Sequence, residues 1–395
     1  MTSLSDYFKG TASKYLSAVD ATPKSNQHEI GSNKFTAILG NPGAEKLRFK
    51  ATFLFFNPEN EQPESCTDLV TYYDTRLNQP NRGAEYRLYY RDNPVTEQLS
   101  EGDFCLIGAQ ANGELLIAVA RPQSDDERRL RYLFNVENAK QQWVVGNQVN
   151  TSELDMASRS IVEALGIQLL DSADSMLDRI VERFGLQFPS TKDFSAFARE
   201  TFGPQISPKD DPDAALEAWM KHEEMLFRSL EKVLVETRLP EVGKSVDAFI
   251  ALSLSVQNRR KSRVGHALEN HLEAVFQASG LRYERGAKTE GNSKPDFLFP
   301  GSLAYRDPTV KSPPLRMLAA KSTCKDRWRQ ILAEASRIPE KHLFTLETAI
   351  SESQTSEMNL NKVCLVLPTS VAKTFTKAQQ ARALSLHAFV SLVSS

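Results

Sequence analysis

An aspartate, a lysine and a glutamate at successive spacings of 25 and 13 residues give this chain the parts for phosphodiester chemistry. Lys294-Pro295-Asp296 sets a carboxylate directly before the apolar run Phe297-Leu298-Phe299. Lys321 closes the run Leu315-Arg316-Met317-Leu318-Ala319-Ala320-Lys321, and Glu334 follows it. Both runs read as short buried strands, so an acid opens one strand and a lysine ends the next. Burying either group is costly unless it is paired or bound to something. Mg²⁺ prefers carboxylate and water oxygens and keeps several waters. It stabilises charge on a phosphate and lowers the pKa of a water beside it. A nearby lysine can orient that water or neutralise the phosphate. The spacing also fits a strand-start aspartate, a surface lysine and an exposed helical glutamate, and by itself does not decide between the two.

Around these residues the pattern predicts an α/β arrangement with a mixed central sheet. A helix is expected over 214–236, capped by Asp213, with Leu216, Met220, Leu226, Leu230 and Val233 on its apolar face. Others are expected at 246–256 and 263–279, the latter striped by Leu268, Leu272 and Phe276. Strands follow at Leu281–Tyr283, Asp296–Phe299, Leu315–Thr323, His342–Leu346 and Val363–Leu367, with helices at 327–338 and 377–393. On the 327–338 helix, Arg327, Ile331 and Glu334 stand at i, i+4 and i+7, which would turn Glu334 back toward the metal. Glu269, one position from the apolar stripe, would complete the acidic set. His266-Ala267-Leu268-Glu269 lacks the second histidine a helical zinc site needs.

The N-terminal half reads differently. Residues 1–20 carry helical spacing through Leu4, Tyr7, Phe8, Tyr15 and Leu16. Short β-rich runs then appear at Lys34–Leu39, Leu47–Phe56, Leu69–Tyr73, Tyr86–Tyr90, Phe104–Ile107, Leu115–Val119 and Trp143–Val145, separated by turn residues such as Asn112-Gly113. They predict a compact, barrel-like β domain. Ser124-Asp125-Asp126-Glu127-Arg128-Arg129 reads as an exposed loop, and 152–171 as a helix. The Asp-Ser-Ala-Asp break at 171–174 divides the chain into domains 1–172 and 173–395.

The chain has 395 residues, 41% of them hydrophobic and 25% charged, with 48 basic against 50 acidic residues and a net charge of −2. Contact with nucleic acid must therefore come from local clusters. Arg259, Arg260, Lys261 and Arg263 form one, suited to phosphates. Four dispersed cysteines without a CxxC pair, no signal-like N-terminus and no long apolar run fit a cytoplasmic protein. No GxxxxGK[ST] segment is present for ATP-driven action.

Three stretches carry a resemblance to a known family: Ser255-Val256-Gln257-Asn258-Arg259-Arg260-Lys261-Ser262-Arg263, Thr289 through Pro300, and Lys321-Ser322-Thr323-Cys324-Lys325-Asp326-Arg327-Trp328-Arg329-Gln330-Ile331-Leu332. Over roughly 240–350 the chain resembles the EcoRII-like type II restriction endonucleases of the PD-(D/E)XK nuclease superfamily. The common pattern places an acid two residues before the lysine, where this chain has Ala319; the EcoRII-like group shares that departure and moves the acid downstream, to Glu334 here. The resemblance implies a C-terminal PD-(D/E)XK catalytic domain with Asp296, Lys321 and Glu334 as its core, Glu269 as a further acid, and Mg²⁺ held by Asp296, Glu334 and Glu269. It assigns Lys325, Asp326 and Arg327 to reading CC and GG pairs, which suits the donor pattern of guanine and the amino group of cytosine. Asp326 could equally cap a helix.

His28-Glu29-Ile30-Gly31, Cys66 to Arg76 and Glu85-Tyr86-Arg87 resemble, more loosely, the family's N-terminal effector domain, a DNA-binding pseudobarrel. Carried over, His28, Lys34, Arg82, Glu85, Tyr86 and Arg87 become DNA contacts; Tyr86 and Arg87 could instead be cross-strand surface pairs. The family's base-flipping arginine and aromatic have no clear counterpart in Trp219-Met220-Lys221-His222-Glu223-Glu224; Trp219 could stack on a base or lie in the core. The expected whole is a homodimeric, Mg²⁺-dependent enzyme cutting duplex DNA at a CC…GG-type site such as CCWGG. Its N-terminal domain would bind effector DNA and restrain the catalytic cleft, and a cognate methyltransferase would protect host DNA. The alternatives are a non-specific or repair nuclease of the same superfamily, and a non-catalytic DNA-binding regulator.

Overall fold

The computed structural model describes residues 3–21, 29–60, 63–79, 81–137, 139–146, 154, 158–159, 161–162, 165–167, 174–243, 245–291, 293–309 and 314–395. The chain falls into two compact units, Met1–Leu170 and Asp171–Ser395.

The first unit is built on eight strands: β1 (Phe8–Tyr15), β2 (Glu29–Gly31), β3 (Leu47–Phe56), β4 (Glu64–Asp74), β5 (Tyr86–Tyr89), β6 (Phe104–Gln110), β7 (Leu115–Ala120) and β8 (Val144–Gly146). Their order is β2-β5-β4-β3-β7-β6-β1-β8, antiparallel except for the parallel pair β3–β7. The central strands are apolar on both faces because each face covers a core. In β3, Ala51, Phe53 and Phe55 enter one cluster while Leu54 and Phe56 enter the other. The sheet curls, since residues near both of its ends share the first core. Ile30 of β2 and Trp143 beside β8 lie in it with Phe35. Phe35 meets Trp143 edge-on at 4.9 Å, and Lys34 Nζ donates to the Trp143 carbonyl at 2.8 Å.

Three N-terminal expectations are corrected. Residues 1–20 do not form a helix: Leu4–Asp6 is a 3₁₀ turn, Phe8–Tyr15 is β1, and Ala18–Ala21 is a single helical turn. β1 pairs with β6 along its length and with β8. Gly10, Thr11 and Ser13 are poor helix formers, so ladder bonds on two sides prevail. Lys34–Leu39 is a 3₁₀ turn followed by a helical turn, started by the Ser32 hydroxyl, which accepts from Lys34 N. The charged segment after Ser124 is not a loop but helix α1 (Asp125–Leu133). Ser124 caps it, and Glu127, only 2% exposed, accepts from the Tyr15 hydroxyl at 2.5 Å. The segment expected as a helix over 152–171 lies largely outside the described residues, although Leu154, Ile161, Val162 and Leu165 are buried in the second core.

The second unit contains helices α2 (Asp174–Phe184), α3 (Thr191–Phe202), α4 (Pro212–Val242), α5 (Val246–Ala278), α6 (Glu352–Leu360) and α7 (Leu386–Ser394). They accompany the strands β9 (Glu284–Arg285), β10 (Phe297–Phe299), β11 (Arg316–Lys321), β12 (Lys341–Thr345) and β13 (Val363–Val366). The sheet order is β13-β12-β11-β10-β9; β9, β10 and β11 run antiparallel, and β11, β12 and β13 parallel. This is the mixed sheet the sequence predicts. The two helices expected at 246–256 and 263–279 are one continuous α5. Arg260, in the gap between them, and Arg263, at the start of the second, pair with Glu231, Glu223 and Glu224 of α4 and fasten those turns. The stretch 377–393 is two short helices, Lys377–Gln380 and Leu386–Ser394.

Asp213 does not cap its own helix, because Asp211 does. The Asp213 carboxylate is buried and accepts from Leu386 N at 2.9 Å and His387 N at 2.8 Å, closing the first turn of α7. Asp213→Ala leaves both amides without that partner. Chemical denaturation is expected to show a loss of about 2 kcal/mol, the upper range for a lost helix cap. No described helix is long and apolar enough to cross a membrane, and the four cysteines are free.

Candidate active site

The carboxylate and the lysine meet because β10 and β11 are antiparallel neighbours. Phe297 pairs with Leu318, so Asp296, just before β10, falls beside the end of β11. Its Oδ2 accepts from Ala320 N at 2.8 Å and from Lys321 Nζ at 3.0 Å. The surrounding strand residues Phe297, Leu298, Leu318 and Ala319 are fully buried, which fixes the backbone. Ala319, where the common nuclease pattern has an acid, packs into the core instead. Lys321 keeps 27% of its side-chain surface and Asp296 18%, so the pair can be reached by a ligand.

Glu334 reaches this pair from a different element than expected. The segment after Lys321 is a 3₁₀ helix, Lys325–Ala333, not an α-helix over 327–338. Glu334 is its extended C-cap, with ψ 145°, so the shared helical face proposed for Arg327 and Glu334 does not exist. The next residue, Ala335, is left-handed at φ 45°. This reversal leaves the Glu334 carboxyl half-buried and within reach of the other two charges. Burial first, and then the Asp296 charge, pushes its pKa up to about 7, although Lys321 and Lys341 pull the other way. Two partly buried carboxylates that repel each other, next to a lysine, suit a divalent cation, which would relieve their repulsion. Among the described residues no three His, Cys, Asp or Glu side chains gather as a metal cage.

Glu269 is engaged elsewhere. Arg285, whose backbone pairs with Phe297, bridges Glu269 and Glu273, each at 2.8 Å. The basic cluster divides. Arg263 is 6% exposed and bound to Glu223 and Glu224, so it is not a phosphate contact in this arrangement. Arg260 pairs with Glu231, while Arg259 is exposed and stacks over Phe188 at 4.4 Å. Lys261 is exposed. Lys325, Asp326 and Arg327 form the first turn of the 3₁₀ helix, but their side chains lie outside what is described. Trp219 is buried against His271 at 5.8 Å, which makes it a core residue.

In the first unit, His28 lies outside the described residues. Arg82 is exposed, and Tyr86 donates its hydroxyl to Asn41. Arg87 bridges Glu29 at 2.5 Å and Glu85 at 2.8 Å, and Glu85 also holds Arg76. Sequence reading did not single out Lys341, whose ammonium lies under the Glu334 turn. A lysine opening the apolar run Lys341-His342-Leu343-Phe344 is the signal that could have found it.

An acid and a lysine are thus paired at neighbouring strand ends, with a second acid brought in by the following turn. Residues 227–390 match the protein family described as EcoRII C terminal. The type II restriction enzyme EcoRII of Escherichia coli is 44% identical over 211 residues, covering 53% of this chain and 52% of the relative. The type II restriction enzyme SsoII of Shigella sonnei is 30% identical over 111 residues, covering 26% of this chain and 35% of that protein. The chain thus spans about half the length of EcoRII, and about a third of SsoII. A solved structure of metal-depleted Ecl18kI in complex with uncleaved, modified DNA aligns over 57% of this chain and 84% of that one, with 20% identity and a TM-score of 0.45.

Proposed function

We propose that this protein is a type II restriction endonuclease that hydrolyses both strands of duplex DNA at a short CC…GG-type site, CCWGG by its resemblance, with Mg²⁺. The observation that carries this reading is the convergence of Ala320 N and Lys321 Nζ on one oxygen of Asp296, with Glu334 alongside. The 44% identity to EcoRII supports it. Asp296 and Glu334 would hold the ion, with Glu269 as a further acid once released from Arg285. When bound, Mg²⁺ offsets the charge growing on the phosphate and eases removal of a proton from the attacking water. Lys321 Nζ has donors left beyond Asp296 and can direct one at the water or at a non-bridging phosphate oxygen. Water oxygen bonds to phosphorus, the bond to O3′ breaks, O3′ takes a proton, and the phosphate stays on the 5′ end.

Lys325, Asp326 and Arg327 would read the outer base pairs, and Arg259, Arg260 and Lys261 would contact phosphates. A symmetric site cut on both strands favours a C2 homodimer. The first unit would act as a pseudobarrel that binds effector DNA through His28, Lys34, Arg82, Glu85, Tyr86 and Arg87 and restrains the catalytic unit. A methyltransferase acting on the same site would protect host DNA, in the cytoplasm. The test is digestion of a multi-site plasmid with Mg²⁺, with short effector duplexes present, followed by sequencing of the ends. Discrete ends at one CC…GG motif are expected. A smear would point to a non-specific nuclease, and intact plasmid to a DNA-binding regulator.

The elevated Glu334 pKa sets a pH dependence. In the metal-free protein this carboxyl keeps its proton up to about pH 7, whereas the unfolded chain releases it near its ordinary value of 4.5. The group therefore adds to folding stability as pH falls through that window, and weakens the metal site over the same range. The Mg²⁺ concentration for half-maximal cleavage is expected to rise by up to about tenfold per pH unit below 7. Mg²⁺ titrations on either side of pH 7 test this; equal half-saturation at both would contradict it.

A further inference from the structure

Glu334 stands at the end of a 3₁₀ helix, on a turn that a non-glycine residue completes in the left-handed region. Such a turn persists only where its surroundings over-determine it. Two groups on other elements do so. Lys341, at the start of β12 and 4% exposed, donates its ammonium to the Glu334 carbonyl and, at 2.6 Å, to the Ala335 carbonyl. Thr289 Oγ1 accepts from Ala335 N at 3.3 Å.

Thr289 belongs to the loop that leads into Asp296. That loop is closed on itself by Thr289 N to the Ser293 carbonyl and Ser293 N to the Glu290 carbonyl, each at 3.0 Å. Glu290 in turn accepts from Ser336 N at 3.1 Å and from the Tyr305 hydroxyl. The turn carrying the second carboxylate is thereby tied to the loop carrying the first, with a buried ammonium beneath.

We propose that Lys341 and Thr289 are positioning residues for Glu334: by gripping both sides of the Ala335 peptide they fix the reversal that sets the Glu334 carboxylate beside Asp296. A buried lysine spent on two backbone carbonyls makes no contact with substrate, so its contribution acts through the carboxylate it holds. This inference rests on the metal-site reading of Asp296 and Glu334 given above.

The test is binding of MnCl2 to the full-length protein, followed by electron paramagnetic resonance, together with metal-free binding of a CC…GG duplex. Lys341→Met keeps the aliphatic stem and removes the donors; Thr289→Val keeps the shape and removes the acceptor. Lys341→Met is expected to weaken Mn²⁺ binding about tenfold or more, the scale of a lost outer-sphere partner, and Thr289→Val to weaken it measurably but less. Duplex affinity without metal should not change. Cleavage by Lys341→Met should recover at high Mg²⁺, since a displaced ligand is overcome by mass action and a lost catalytic group is not. Wild-type Mn²⁺ affinity in a folded Lys341→Met protein would overturn the proposal. If that variant does not fold, unchanged affinity in Thr289→Val overturns it. The Glu334→Gln protein separates the two readings: if it binds Mn²⁺ like the wild type, the metal site itself is wrong.

Discussion

Plasmid cleavage by Lys321→Ala is expected to fall by about 10²–10⁴-fold at saturating Mg²⁺, the range for removing a positioned proton-transfer or charge-stabilising group. Metal-free affinity for a CC…GG duplex should stay within a few-fold of wild type. The separation follows from where Lys321 sits. It ends β11 with its ammonium on Asp296 at 3.0 Å, while the backbone that places Asp296 is held independently by Ala320 N and by the β10–β11 ladder. Truncating the lysine therefore removes a donor without moving the carboxylate. Asp296→Asn should be as damaging for a different reason: it removes a charged oxygen that a cation would use, and Mn²⁺ binding should fall with the cleavage rate. A Lys321→Ala protein that nicks DNA at the wild-type rate would remove Lys321 from the site, whatever the enzyme's specificity. Single-turnover rates measured beside duplex binding distinguish these outcomes.

How much of this was legible in the sequence depended on what sets each feature. β3, read as Leu47–Phe56, appears with those bounds because its alternation is strong and both of its faces are covered. The Asp296–Lys321 meeting was legible too, since two short apolar runs with a polar residue at one tip of each leave few other pairings. The Glu334 turn was not. The left-handed Ala335 is held by Lys341 and Thr289, 6 and 46 positions away in sequence, and periodicity carries no trace of such ties. β1 failed for the same reason: two ladder partners, β6 and β8, override a local spacing that looks helical. The arginine cluster shows the limit most sharply. Arg259, Arg260 and Arg263 look alike in sequence, yet the acids that distinguish them lie on α4, 29 residues before Arg260 and 40 before Arg263.

That division of the cluster leads to the largest expected effect on stability. Glu223 is fully buried and accepts from Arg263 Nη1 at 3.2 Å. Its other oxygen lies 2.9 Å from His271 Nε2. Burial pushes the Glu223 carboxyl up, but His271 and Arg263 outweigh it and hold its pKa below the usual value. Burial likewise pushes the His271 pKa down, more than Glu223 raises it, so the carboxylate is charged and the imidazole neutral. Glu223→Ala would leave the 6% exposed Arg263, stacked over Phe227 at 4.3 Å, with Glu224 as its remaining acid on α4. Breaking a buried pair from one side typically costs about 3–5 kcal/mol, and because Arg263 keeps Glu224 the lower end of that range applies here. Urea denaturation of Glu223→Ala should show a loss of that size. Arg259→Ala, four residues before Arg263 on the same helix but exposed, should cost less than about 1 kcal/mol. Replacing Glu223 and Arg263 together by apolar residues should recover much of the loss, since the charge that made the single change costly is gone. Equal losses for Glu223→Ala and Arg259→Ala would mean that the cluster acts as one solvated face, and would return Arg263 to the set of candidate phosphate contacts.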